Sequence, residues 1–175
     1  MQLRHHFPDA EFFGCAGPEM RATGVRAVVR TESLAVVGIA EVLTHLPRIY
    51  GEYRRLINEA HRHHPLFAVL TDSPDFHLRV ARRLHALQIP VFYLVAPQAW
   101  AWRERRVAQI RRNVKQLHCI FPFEEEFFRT RGVAAHYIGN PAARLVRATA
   151  EPAALKQAFG FHPEHPLVTL CPGRG

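Results

Sequence analysis

The residues best placed for acid–base chemistry lie in TDSPDFH, Thr71 to His77. Two carboxylates, two hydroxyls and an imidazole follow the apolar run Leu66–Leu70 directly. If that run is a parallel strand, the segment sits at its carboxyl end, where open α/β sheets place their ligands. Asp72 then faces the crevice. Ser73 or Asp75 is expected to cap the helix that follows, with Pro74 in its first turn. Two readings stay open: both acids serve as caps and turn formers, or one is a general base. Asp72 is the better candidate for the base, because Asp75 is better placed to cap. A base must also reach the proton it takes.

A second stretch, FYLVAPQAWAWRERRVAQIRRN (Phe92 to Asn113), borders the same crevice. Ala96, Pro97 and Gln98 end its apolar run. Trp100 and Trp102 either pack against the helix beginning near Arg103 or offer ring faces to a ligand. Arg103, Arg105, Arg106, Arg111, Arg112 and Lys115 form a basic run, while Val107, Ile110 and Val114 make an apolar stripe at helical spacing. The arginines fall mostly off that stripe. Such a face gives plain solubility, and it also suits phosphate or lipid headgroups. Nucleic-acid binding is open too, but the aromatics precede the basic run and no RNP-like or Cys/His zinc pattern occurs.

Other segments add fewer constraints. In LAVVGIAEVLTHLPRIY, Val42, Leu43, Leu46, Ile49 and Tyr50 recur at spacings of three and four, with Arg48, Arg54 and Arg55 close by. That stripe reads as core packing or as an interfacial helix with a basic flank. The histidines show no HExxH or similar ligand spacing, so no metal site and no cofactor are expected. Glu124 and Glu125 fall in the first turn of a helix after Pro122, where capping is the expected role and ligand contact the alternative.

The elements that position these residues alternate. Candidate strands are Glu11–Ala16, Arg26–Arg30, Leu66–Thr71, Val91–Val95, Gln116–Phe121, His136–Ile138 and Leu167–Leu170. Candidate helices are Pro18–Thr23, Leu34–His63 (interrupted before Pro47), Phe76–Leu87, Arg103–Asn113, Glu124–Thr130 and Pro152–Phe159. FAVL, VFYLV and LVTL are apolar on both faces, as parallel strands covered on both sides should be. The fold class is therefore α/β, a Rossmann-like, doubly wound and mostly parallel sheet. The 175 residues, 48% hydrophobic and 22% charged, suit a globular chain. A net charge of +8 favours an anionic partner: nucleic acid, membrane or phosphorylated substrate. Three scattered cysteines, Cys15, Cys119 and Cys171, suit a reducing cytoplasm. No apolar run approaches the ~20 residues of a membrane span, and the first residues lack the apolar core of a signal peptide.

Several motifs together resemble one family. TDSPDFH, YLVAPQAWAWRERRVAQI, FPFEEEFFRTRGV, YIGNP and LCPGRG stand in the order and spacing of the lipid-A-disaccharide synthases, and FFGCAGPEMRATG and LAVVGIAEVL resemble that family's early segments. The resemblance covers nearly the whole chain. It implies one half of a glycosyltransferase of GT-B type, in which two Rossmann-like domains face each other across a cleft. The activity it implies is transfer of 2,3-diacylglucosamine from UDP-2,3-diacylglucosamine to lipid X, with inversion and without metal, at the cytoplasmic face of the inner membrane. Partners are then the two lipid substrates and the membrane surface, with no nucleic acid and with a homodimer open for the full-length enzyme.

The resemblance also assigns residues. Asp72 matches the aspartate of the family's DxPDF motif, and Arg174 resembles the arginine of its LPGSR loop, a phosphate contact. Pro97, Gln98, Trp100, Trp102, Arg103 and Asn140 are expected to meet substrate, and Val42, Leu43, Leu46 and Ile49 the membrane. Residues 1–147 read as an acceptor-side domain lacking its first strand and glycine loop, and 148–175 as a linker and the start of a nucleotide-sugar domain. Departures are His77, where asparagine is usual, Asn140, where histidine is frequent, and CPGRG, which lacks the serine of PGSR. The resemblance leaves alternatives: another GT-B glycosyltransferase, a UDP-sugar epimerase, or a non-catalytic module for RNA or membrane.

Overall fold

The computed structural model describes residues 2–33, 39–99, 105–145 and 150–168. They form two compact units, Met1–Gly139 and Asn140–Gly175. In the first unit, strands β1 (Phe13–Ala16) and β2 (Arg26–Arg30) pair in parallel, with α2 (Pro18–Ala22) between them and α1 (Gln2–His6) ahead of them. A four-stranded parallel sheet runs in the order β3 (Ala68–Thr71), β4 (Val91–Leu94), β5 (Gln116–Cys119), β6 (Ala135–Tyr137). Its crossovers are α4 (Pro74–Ala86), α5 (Arg105–Asn113) and α6 (Pro122–Arg129). Every described pairing is parallel and helices connect the strands, which is the expected Rossmann-like α/β class.

The strands are buried more on one face than on the other. Leu70, Val91, Tyr93, Leu117 and Cys119 are buried, whereas Phe92 and Leu94 are half-covered and Val69 is 42% exposed. The expectation that FAVL is covered on both sides is therefore corrected. Right-handed crossovers between strands laid down in sequence order put α4, α5 and α6 on a single face. Those helices supply the matching apolar stripes: Leu78, Ala81 and Leu84 from α4, Val107 and Ile110 from α5, and Phe128 from α6. Each fully buried large side chain contributes about 1.5–3 kcal/mol of transfer free energy.

The helix α3 (Ile39–His63) runs unbroken through Pro47, which corrects the expected interruption there. Proline removes one helical hydrogen bond and crowds the preceding turn. The cost is local, because the later turns are anchored by packing. Ile57 and Ala60 are buried, and Tyr53 meets Phe76 of α4 edge-on. Glu59 accepts from Arg26 of β2 at 2.6 Å. Cys15 and Cys119 are free thiols.

In the second unit, α7 (Pro141–Leu145) and α8 (Pro152–Ala158) are short. Lys156 Nζ donates to the carbonyls of Pro163 and His165, closing the turn after α8. The expected strand Leu167–Leu170 does not form over its described part: residues 167 and 168 are irregular and exposed, and 169–170 lie outside the described residues.

Candidate active site

The carboxyl ends of β3 and β4 open into a cleft of about 310 Å³, lined among others by Asp72, Pro74, Tyr93, Pro97, Gln98 and Arg106. The two stretches singled out in the sequence do meet there. Their adjacency follows from register: Thr71 pairs with Leu94, so the residues just beyond each strand emerge side by side. The loop after β4 is tied to the next strand by Ala96 N donating to His118 O at 3.1 Å. A second depression of about 270 Å³, lined by Pro122, Glu125, Glu126, Arg129 and Thr130, is the outward surface of one helix. It brings no residues of different elements together.

The backbone around the cleft is unusual. Asp72 (φ 55°), Ser73 (φ 40°) and Val95 (φ 62°) all adopt the left-handed region. For L residues this is costly, above all for β-branched valine. Such strain persists only where surrounding contacts impose it, and it gathers at functional sites. Asp72 has those contacts. Its carbonyl accepts the Tyr93 hydroxyl at 2.7 Å and is 2.8 Å from His77 Nδ1. Tyr93 is buried, which pushes its phenol well above the usual range, with the Asp72 charge adding to the effect. It is therefore a hydrogen-bond donor at neutral pH.

The expected cap of α4 by Ser73 is not made. Ser73 occupies the N-cap position but its left-handed backbone leaves no side-chain cap. Asp75 instead accepts from Arg106 Nη2 at 2.6 Å. A cap needs an extended backbone at that position, and the Asp72–Ser73 turn does not provide one. Arg106 corrects the picture of a solvated basic face, since its side chain is only 16% exposed and turns into the cleft. Glu124 does cap α6: it is buried, and its carboxylate accepts from the backbone N–H groups of Ile120 and Phe121, each at 3.2 Å.

Of the expected site residues, Asp72, Pro97 and Gln98 share the cleft. Trp100, Trp102, Arg103 and Arg174 lie outside the described residues. Asn140 belongs to the second unit, where its Oδ1 accepts from Ala142 N at 3.0 Å at the start of α7. Val42 and Leu43 fall in α3, but their side chains lie outside the description. Leu46 is 48% exposed and Ile49 half-buried. Sequence reasoning missed Tyr93, Arg106 and His77 as parts of the site. The alternation of β4 carried a signal for Tyr93, as a polar-tipped residue on a buried face one step from the strand end.

A sequence model of the lipid-A-disaccharide synthetase family matches residues 1–174. The chain belongs to that family. Proteins named lipid-A-disaccharide synthase resemble it closely: that of Solibacter usitatus is 57% identical over 172 residues, 98% of this chain and 45% of the relative. That of Koribacter versatilis is 47% identical over the same shares, and that of Acidobacterium capsulatum 43% identical over 98% of this chain and 43% of the relative. The chain thus spans less than half the length of these relatives. As a member of the lipid-A-disaccharide synthetase family it is one Rossmann-like half of the GT-B type, and its cleft lies at the strand ends, where open α/β sheets place their ligands.

Proposed function

We propose that this chain forms the acceptor-side half of a lipid-A-disaccharide synthase. The complete enzyme would transfer 2,3-diacylglucosamine from UDP-2,3-diacylglucosamine to lipid X, giving the disaccharide 1-phosphate and UDP. The observation that carries the reading is Asp72 held on a left-handed turn in a cleft that also contains Arg106, within a chain of this family. The Asp72 carboxylate takes the proton from the acceptor 6-hydroxyl. The freed oxygen attacks the anomeric carbon from the face opposite UDP. The bond between that carbon and the diphosphate oxygen breaks, its electron pair leaves with UDP, and the configuration inverts. Arginines neutralise the leaving diphosphate. Arg174 and Arg103 are proposed for this, with Trp100, Trp102 and Asn140 as further substrate contacts. No cofactor is proposed.

Residues 1–147 are proposed as the acceptor domain and 148–175 as linker and the start of the nucleotide-sugar domain. The separation of Asn140–Gly175 as its own compact unit supports a boundary in this region. Product analysis tests the activity. Residues 1–174 are placed in the Solibacter usitatus relative in exchange for the matching stretch, giving a complete enzyme. With both lipid substrates, a β-1,6-linked disaccharide 1-phosphate and stoichiometric UDP are expected. UDP release without disaccharide, or epimerised UDP-sugar, would sink the reading.

A peripheral location on the cytoplasmic face of the inner membrane is part of the proposal, as is a homodimer of the complete enzyme. Among the described residues no helix is long and apolar enough to cross a membrane. Supporting the peripheral reading, Leu46 and Tyr50 (60% exposed) share α3 with the exposed Arg48, Arg54 and Arg55. The protein is expected to float with anionic phospholipid vesicles, more strongly at low salt. Serines at Leu43, Leu46 and Ile49 should lower the bound fraction without lowering the thermal midpoint. Unchanged flotation, or an RNA mobility shift at lower protein concentration than vesicle binding, would count against it.

A further inference from the structure

We infer that Tyr93 and His77 are positioning residues for Asp72, holding its carbonyl from two sides so that the strained turn keeps the carboxylate in the cleft. This rests on the proposed role of Asp72 as base. Three observations meet at one peptide group. Asp72 and Ser73 are consecutive left-handed non-glycine residues, a conformation the chain leaves unless other contacts hold it. The Tyr93 hydroxyl reaches the Asp72 carbonyl at 2.7 Å from the buried face of β4. The His77 ring, one turn into α4, reaches the same oxygen at 2.8 Å.

The chemistry fixes the direction of both bonds. A carbonyl only accepts, so the phenol donates and His77 Nδ1 carries a proton. Tyr93 is fully buried and packed, and His77 is half-buried on the helix that the turn initiates. The carbonyl is therefore fixed from the sheet on one side and the helix on the other. With the peptide plane set, the Cα–Cβ bond from which the Asp72 carboxylate projects is held as well. Neither residue need touch substrate for this role. Capping does not explain the pair, because neither bond goes to an orphan N–H of α4.

Two measurements separate this inference from the assignment of Asp72. The first concerns the chain alone. Asp72–Ser73 is its one Asp-Ser step, so ¹³C′-Asp and ¹⁵N-Ser labelling selects that peptide group by NMR. Its carbonyl resonance should move upfield in Tyr93→Phe and in His77→Ala, and return towards the native position in His77→Asn, whose amide can still donate. The second is kinetic, in the complete enzyme described above. Tyr93→Phe and His77→Ala should each lower kcat about 10- to 100-fold, the scale of a misplaced catalytic group, with KM and thermal midpoint held. His77→Asn should restore most of the loss. A carbonyl resonance that ignores both substitutions overturns the inference, as does normal kcat in both when Asp72→Asn is inactive. Full turnover in Asp72→Asn overturns the base assignment instead.

Discussion

Asp72→Asn is expected to lower kcat of the complete enzyme about 10²–10⁴-fold, the range that a positioned general base supplies. The substitution is isosteric and keeps the backbone of the turn, whose hydrogen bonds come from the Tyr93 hydroxyl and the His77 ring to the Asp72 carbonyl. KM for both lipid substrates should therefore stay unchanged, because the proposed base acts on the proton in transit and not on substrate binding. Asp72 is exposed in the cleft, so stability should change by no more than about 0.5 kcal/mol. Steady-state kinetics beside a thermal melt read both quantities. A variant with near-normal turnover would move the base elsewhere. Asp75 is the poorer substitute, since its carboxylate is engaged by Arg106 at 2.6 Å.

Phe128→Ala is expected to cost about 3–5 kcal/mol, the usual range for an aromatic side chain lost from a packed core. Phe128 is 0% exposed and belongs to the core cluster that also holds Leu117, Cys119, Val133 and Ala135. It fastens α6 to the last two strands, and the surrounding backbone cannot collapse far because β5 and β6 are paired through their ladder. Domains are stable by only about 5–15 kcal/mol in total, so this single change should consume a large share of that margin. Urea titration of the chain checks it. The control is Phe123→Ala, five residues earlier on the same helix but 51% exposed and stacked on Phe121. It should stay within about 0.5 kcal/mol. Equal losses at the two positions would mean that α6 is seated differently.

The sequence determined more of the architecture than of the site. The strands read as Arg26–Arg30, Val91–Val95 and Gln116–Phe121 form over Arg26–Arg30, Val91–Leu94 and Gln116–Cys119, and the stripe of Val107, Ile110 and Val114 is buried as its spacing requires. These features are local: each depends on a period of two or 3.6 residues, which the chain carries with it. The family motifs, too, are linear strings, and the match over residues 1–174 follows them.

What only the tertiary structure decided is which polar groups meet. Helix capping by Ser73 failed because the Asp72–Ser73 turn is left-handed, a state held by partners 5 and 21 residues away from Asp72. Pro47 was passed over because later turns of α3 are held by Ile57, Ala60 and Tyr53, contacts invisible to local propensity. Arg106 turned inward although it ends the charged run Arg103–Arg106, because Asp75 of the adjacent helix stands 2.6 Å away. Tyr93 entered the site through the register of β3 and β4, which sets Leu70 beside it and brings its hydroxyl to the peptide beyond the strand end. Periodicity fixes which face of an element is apolar. Strand register and helix crossing bring distant polar groups within 3 Å of one another, and no short-range pattern encodes that distance.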